Sequence, residues 1–223
     1  MKITKFPDKI TSELAEETGW HIGDGTMNFY KNHGKEIGLY QLREHIEDDK
    51  PHYLMRVKPI FKNLYGADIS LREMPSMRVF GFQIWSSDLV KFKQNLGLTI
   101  GPKLDLIIPE KFLENNDLKI YVLRGIFDTD GCIYFEHKNH KHYPRIEITT
   151  ICKRLVEQLK NLFIELGLRA TIHKSNYTIK GNRKQAYRVV IRGEEMLEKF
   201  IKVIKPANQK HIAKYETHRK SFK

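Results

Sequence analysis

Two acidic residues lie in matched surroundings: Asp24 in Gly19-Trp-His-Ile-Gly-Asp-Gly25, and Asp130 in Gly125-Ile-Phe-Asp-Thr-Asp-Gly131. Each follows a small residue and precedes a glycine. An apolar helical run leads into each (Leu14, Ala15, Trp20, Ile22; then Ile120, Val122, Leu123, Ile126, Phe127), and strand-like alternation follows. Glycine is an ordinary helix stop, since it tolerates the left-handed conformation. An acid in the last turn is not ordinary, because the helix dipole already places partial negative charge there. A cation would relieve that conflict, and two such carboxylates side by side suit a hard divalent ion. Small residues four apart (Gly19/Gly23 and Gly125/Thr129) leave a stripe without bulk, so two such helices can pack backbone to backbone and bring Asp24 and Asp130 together. A glycine-capped core helix with a solvated aspartate explains one copy as well; two matched copies weigh against it.

The elements that must position these acids also occur twice. In the first half, a helix over 12–23 leads to strands over 26–31 and 36–45 around the Asn32–Lys35 turn. Asp48-Asp49-Lys50-Pro51 starts a helix that runs to Leu64, tolerating or kinking at Pro59. Strands over 67–73 and 77–85 and a helix over 86–95 complete the unit. In the second half, helix 118–129 precedes strands 132–138 and 143–149, helix 153–166, strands 169–174 and 185–192, and helix 194–203. Gly66 and Gly167 end equivalent helices. The expected architecture is α+β: tandem pseudo-twofold αββαββα units with two antiparallel sheets. The first half covers residues 1–98, the linker 99–116 with its Gly101-Pro102 pair, and the second half 117–223.

The chain has 223 residues and a formal net charge of +12, from 39 Lys+Arg against 27 Asp+Glu. That balance favours a polyanionic partner, because neutralising phosphates releases counterions. The two cysteines, Cys132 and Cys152, lack metal-ligand spacing and suggest a reducing compartment. No signal peptide or apolar run of membrane length is visible, so an intracellular location is expected, in cytoplasm, nucleoid or an organelle with its own genome, without membrane partners.

Sorting the strands by face gives an apolar side (Met27, Phe29, Ile133, Phe135, Ile146, Ile148, Ala170, Ile172) and a polar, basic one. The polar side supplies the candidate DNA contacts: Asn28, Tyr30, Arg43, Arg72, Gln83, Tyr134, Lys138, Arg145, Arg169, Thr171, His173, Arg188 and Arg192. Glu136, Glu147 and Thr149 share that face. Such a sheet can present arginine to guanine and amides to adenine in a major groove, although a solvated outer face looks the same in sequence.

The two motifs resemble the LAGLIDADG motif of homing endonucleases, in the single-chain, two-motif form. Leu123-Arg-Gly-Ile-Phe-Asp-Thr-Asp-Gly131 matches closely; the first copy departs where Glu17-Thr18 replace Leu-Ala, and keeps Gly19 and Gly23-Asp24-Gly25. The order of strands and helices after each motif also fits. The resemblance implies a monomer whose two sheets form a saddle over double-stranded DNA. It implies hydrolysis of a phosphodiester in each strand of a long site, leaving short 3′ overhangs. Asp24 and Asp130 would hold Mg²⁺, helped by the backbone carbonyls of Gly23 and Thr129. Mn²⁺ would substitute, and Ca²⁺ would bind without supporting cleavage. Water-positioning groups are expected near the end of each second strand, where His45, Thr149 and Thr150 lie.

His137, His140 and His142 fall in a hairpin beside Lys138 and Lys141, which favours phosphate contact or solvation over zinc. Asn208–His211 and the basic residues Lys214, Arg219, Lys220 and Lys223 are expected beside the nucleic acid. An RNA-binding intron maturase on the same fold is the alternative function. A transcription regulator would need an added DNA-binding module. Embedding in a protein-splicing element is not expected, because the sequence starts directly at the fold and shows no splicing residues at its ends.

Overall fold

Thr11 opens the first helix by accepting from the Leu14 N–H at 3.2 Å, and α1 runs over Ser12–Gly23. The computed structural model describes residues 2–32, 34–138, 141–179 and 182–220. After α1 come β1 (Thr26–Asn32), β2 (Lys35–His45), the short α2 (Lys50–His52), α3 (Lys58–Tyr65), β3 (Arg72–Met74), β4 (Val79–Trp85) and α4 (Ser87–Asn95). The second set is α5 (Asn116–Asp130), β5 (Gly131–Lys138), β6 (Lys141–Thr150), α6 (Lys153–Glu165), β7 (Ala170–Ile179), β8 (Asn182–Arg192) and α7 (Glu194–Ile204), followed by α8 (Gln209–Lys220). The sheets have the same order, β1-β2-β4-β3 and β5-β6-β8-β7, with every pair antiparallel. The duplicated α+β architecture is therefore the one expected.

Details differ where local chemistry intervenes. α2 passes into α3 through a π-turn at Tyr53–Val57, a wider turn set just before Pro59, which has no N–H to give. β3 is shorter than expected, since Ala67 and Ile69 are buried outside the strand. β7 and β8 run further, to an Ile179↔Asn182 pair, through Ser175, Asn176 and Lys184, where apolar alternation is lost. α8 was not expected as a helix. Its polar sequence has no apolar stripe, and it docks through a few specific contacts instead. His218 stacks on Phe135 with ring centroids 4.0 Å apart, and the Tyr215 hydroxyl donates to Glu198 at 2.8 Å.

α1 and α5 pack backbone to backbone at the centre of the molecule. A Cβ on Gly19 would collide with the Val122 carbonyl and lie 2.8 Å from Gly125 Cα; one on Gly125 would lie 2.9 Å from Gly19 Cα. The glycines are thus required by space. Beside this seam the first motif's odd acids are resolved. Glu17 is fully buried, ion-paired to Lys93 (2.7 Å to Oε2) and hydrogen-bonded by the Tyr40 and Tyr65 hydroxyls at 3.2 and 3.0 Å. Glu16 takes both nitrogens of the Arg56 fork at 2.9 and 2.6 Å. Removing one partner of a fully buried pair such as Glu17–Lys93 costs about 3–5 kcal/mol, so that departure from the motif is structural.

Candidate metal centre and nucleic-acid interface

The helix seam delivers both acids to one place. Asp24 caps α1, and Asp130 is the last residue of α5. Gly23 lies against Thr129: a Cβ there would overlap the Thr129 side chain and sit 3.5 Å from Asp130 Cγ. The Thr129 hydroxyl turns back to its own helix, donating to the Gly125 and Ile126 carbonyls (3.1 and 3.0 Å). A cavity of about 590 Å³ opens here, lined by Gly23, Lys103, Asp130, Glu147, Thr149, Thr150 and Arg188 among others.

Burial dominates the electrostatics. It pushes the Asp130 carboxyl up to about 7; the nearby Asp24 adds to the shift, and Lys103 and Lys210 oppose it. Asp24 is raised for the same first reason, against Lys103 and Lys210 and with Asp49. Two acids held above their ordinary range are short of positive charge. Lys103, from the linker, partly supplies it. Its ammonium donates to the His21 and Ile22 carbonyls at 2.7 and 3.0 Å and to the Gly23 carbonyl. Burial lowers its pKa to about 8, opposed by Asp130 and Asp24. On the Asp24 side, Lys210 of α8 pairs with the buried Asp49 at 2.7 Å. Burial works against the Lys210 charge, but Asp49 holds its pKa above the usual lysine value. Asn208 ties that corner together, donating to Asp49 at 2.6 Å and to the Asp128 carbonyl at 2.9 Å. Asp128 in turn accepts from the Ala207 and Asn208 N–H groups (3.0 and 3.1 Å).

Among the described residues no cluster of three His, Cys, Asp or Glu side chains forms a ready metal cage. Two carboxylates and helix-end carbonyls make an all-oxygen, incomplete set, which fits a hard ion that keeps water or phosphate oxygens as its other ligands. Thr149 and Thr150 line this cavity. His45 lies beside the following loop: its Nδ1 is 3.2 Å from Asp48, and its backbone N–H donates to the Asp49 carboxylate at 3.1 Å. Sequence reasoning missed Lys103 and Lys210. Lys103 stood in a stretch read only as linker, and Lys210 in one assigned to the nucleic-acid surface.

The polar sheet faces carry most of the remaining candidates. Asn28, Tyr30 and Arg72 are exposed, with Tyr30 edge-on to Trp85 at 6.0 Å. Gln83 accepts from Arg43 (2.9 Å) and Gln41 (3.1 Å). On the second sheet, Arg145 pairs with Glu136 at 2.5 Å and the Tyr134 hydroxyl donates to Glu147 at 2.7 Å. Arg188 lies 3.8 Å from Glu147, and Arg192 contacts Thr171 (3.3 Å) and His173 (3.0 Å). Arg169 lies just before β7 and is engaged by Glu195 of α7 at 2.9 Å. The side chains of His137, Lys138, His140, Lys141 and His142, and Lys223, lie outside the described residues.

Residues 117–205 match the model of the LAGLIDADG-like domain. That match spans the second motif and the strands and helices that follow it through α7. Over most of its length the fold is similar to that of solved homing endonucleases. Mesophilic variants of the homing endonuclease I-DmoI superpose with TM-score 0.63 at 19% identity, over 86% of this chain and 90% of theirs. I-DmoI in complex with DNA and Mn gives 0.62 at 18% identity, over 86% and 96%. Curated relatives are much longer proteins. The glutamine–fructose-6-phosphate aminotransferase of Methanocaldococcus jannaschii is 27% identical over 90% of this chain, which spans 17% of that protein. An A-type ATP synthase subunit of Pyrococcus abyssi is 28% identical over 89% of this chain, again 17% of its length. The segment therefore recurs inside longer proteins of unrelated names. Among the described residues no helix is long and apolar enough to cross a membrane.

Proposed function

We infer that this chain is a site-specific, divalent-metal-dependent endonuclease that cuts both strands of a long double-stranded DNA site as a single chain. The observation that carries this reading is the convergence of Asp24 and Asp130 at the ends of α1 and α5, between two antiparallel sheets of like topology. The acids would hold Mg²⁺ or Mn²⁺ with the Gly23 and Thr129 carbonyls, and the bound ion would activate water and stabilise the attacking and leaving oxygens. The related I-DmoI structures with DNA and Mn or Ca support such a site by likeness. Matched segments within an aminotransferase and an ATP synthase do not bring those activities here. A module shared by such different proteins is what a mobile nuclease would look like.

The chain's own residues divide the work. Asp24 and Asp130 present carboxylates that must be ionised to hold the ion. Arg188, Thr149 and Thr150 line the cavity beside Asp130, placed to orient water or a phosphate oxygen there. Lys210, fixed by Asp49, sets positive charge on the Asp24 side. The polar faces of the two sheets, with Arg43, Gln83, Arg145 and Arg192, read base edges and phosphates. One experiment tests the reading: a randomised DNA library is treated with the protein and Mg²⁺, alongside Asp24→Asn and Asp130→Asn. Discrete double-strand ends that vanish in both variants are expected. Tight DNA binding without cleavage by the wild type would sink the nuclease, and RNA would be the next ligand tried.

A further inference from the structure

Asp24 and Asp130 meet at the negative ends of two packed helices, where the dipoles and mutual repulsion both oppose ionisation. The seam through Gly19 and Gly125 nevertheless brings the helices into backbone contact. Positive charge at the junction would reconcile the two facts, and the linker provides it. Lys103 Nζ donates to three successive α1 carbonyls, His21, Ile22 and Gly23, and its side chain lines the cavity that contains Asp130. An ammonium has three N–H donors, and here all three are spent on the helix end. A lysine that polarises a water for attack would need one free. Gly23 O, moreover, is one of the atoms expected to face the metal.

The linker is anchored on both sides of Lys103. The Gly101 N–H donates to Met27 O of β1 at 3.1 Å, and Leu106 exchanges contacts with Cys152 Sγ at 3.2 and 3.1 Å. Asp105 pairs with Arg154 at 2.9 Å. Lys103 is thus delivered to the junction of the halves by a strap fixed to each of them.

We propose that Lys103 is a built-in cation that holds the Asp24–Asp130 site assembled without metal and competes with the divalent ion for it. The inference rests on the metal-centre reading above and deepens it: metal entry displaces the ammonium from Gly23 O, so the ion binds more weakly than the acids alone would allow. Lys210 does not play this part, because its ammonium is held by Asp49.

The test compares wild type with Lys103→Met by calorimetric titration with Ca²⁺ and by thermal unfolding in chelator and in Ca²⁺, with no cleavage required. Lys103→Met is expected to melt lower than wild type in chelator and to bind Ca²⁺ with a half-saturation about tenfold lower or more, since a neighbouring like charge is removed. Lys103→Gln keeps donors without the charge and should show the same tighter binding; it replaces Lys103→Met if that variant folds only with Ca²⁺, a result that itself supports the proposal. Unchanged or weaker Ca²⁺ binding in the variants overturns this inference alone. Absence of Ca²⁺ binding in every protein overturns it together with the metal-centre reading.

Discussion

Burial sets the behaviour of the acid pair before any metal chemistry begins. Asp130 has its pKa pushed up to about 7 because it is buried beside Asp24. A divalent ion must therefore displace a proton below that pH. At limiting Mg²⁺, cleavage is expected to fall about tenfold per pH unit below pH 7 and to level off above it, as for a single ionisation. Higher Mg²⁺ should move the break to lower pH. Rate profiles at two Mg²⁺ concentrations check this; a profile flat from about pH 6 to pH 8 at limiting metal would show that the proton and the ion do not compete. Folding carries the opposite sign. A carboxyl whose folded pKa exceeds its unfolded value binds protons more tightly when folded, so its contribution is present at low pH and is lost as pH rises through about 7. The metal-free protein should accordingly lose that part of its stability between about pH 4 and pH 7. These acids were legible because Gly-Asp-Gly and Asp-Thr-Asp-Gly at helix ends are locally anomalous. Lys103 and Lys210 were not, because their partners lie far away in sequence and nothing in Gly101-Pro102-Lys103 signals where its side chain ends.

At the scale of elements, the site depends on how closely α1 and α5 approach. A Cβ on Gly125 would overlap the Glu16 carbonyl and press on Gly19 Cα at 2.9 Å. Backbone on both sides leaves no flexible side chain to yield, so the helices must move apart. Overpacking of this kind costs about 1–3 kcal/mol, and the displacement is transmitted along the helices to Asp24 and Asp130. Gly125→Ala is therefore expected to lower the melting temperature and to lose cleavage even where the variant remains folded. Normal cleavage by a folded Gly125→Ala protein would show that the acids tolerate a wider seam. The small-residue stripe that makes this contact could be read from Gly19/Gly23 and Gly125/Thr129, as could the strands with strict alternation. α8 could not, since Gln209–Lys220 lacks an amphipathic pattern and is ordered by His218 on Phe135 and Tyr215 on Glu198. The π-turn before Pro59 was legible only as a disturbance, because proline says which N–H is missing and not how the turn absorbs its loss.

Across the whole molecule the two sheets share a topology but not a chemistry. The first presents the Gln41–Gln83–Arg43 network, with Tyr30 and Trp85 beside it. The second presents Arg145, Arg188 and Arg192, each lying against a residue of the same face: Glu136, Glu147, and Thr171 with His173. Amides pair best with adenine and apolar rings with the thymine methyl, whereas arginine forks select guanine. A molecule with pseudo-twofold architecture is thus expected to read an asymmetric site, richer in A·T pairs under the first sheet and in guanine under the second. Arg192, held by His173 and Thr171 and by no carboxylate among the described residues, is well placed to exchange its partners for a base. Arg192→Ala should weaken binding by about 1–3 kcal/mol and relax the preference at one position of the second half-site only. A lysine or arginine that met only phosphate would instead weaken all sequences alike and flatten the salt dependence. Sequencing the molecules cleaved from a randomised library by wild type and by Arg192→Ala separates the two outcomes, and equal base preferences in both half-sites would remove the argument that the sheets' different side chains set the target.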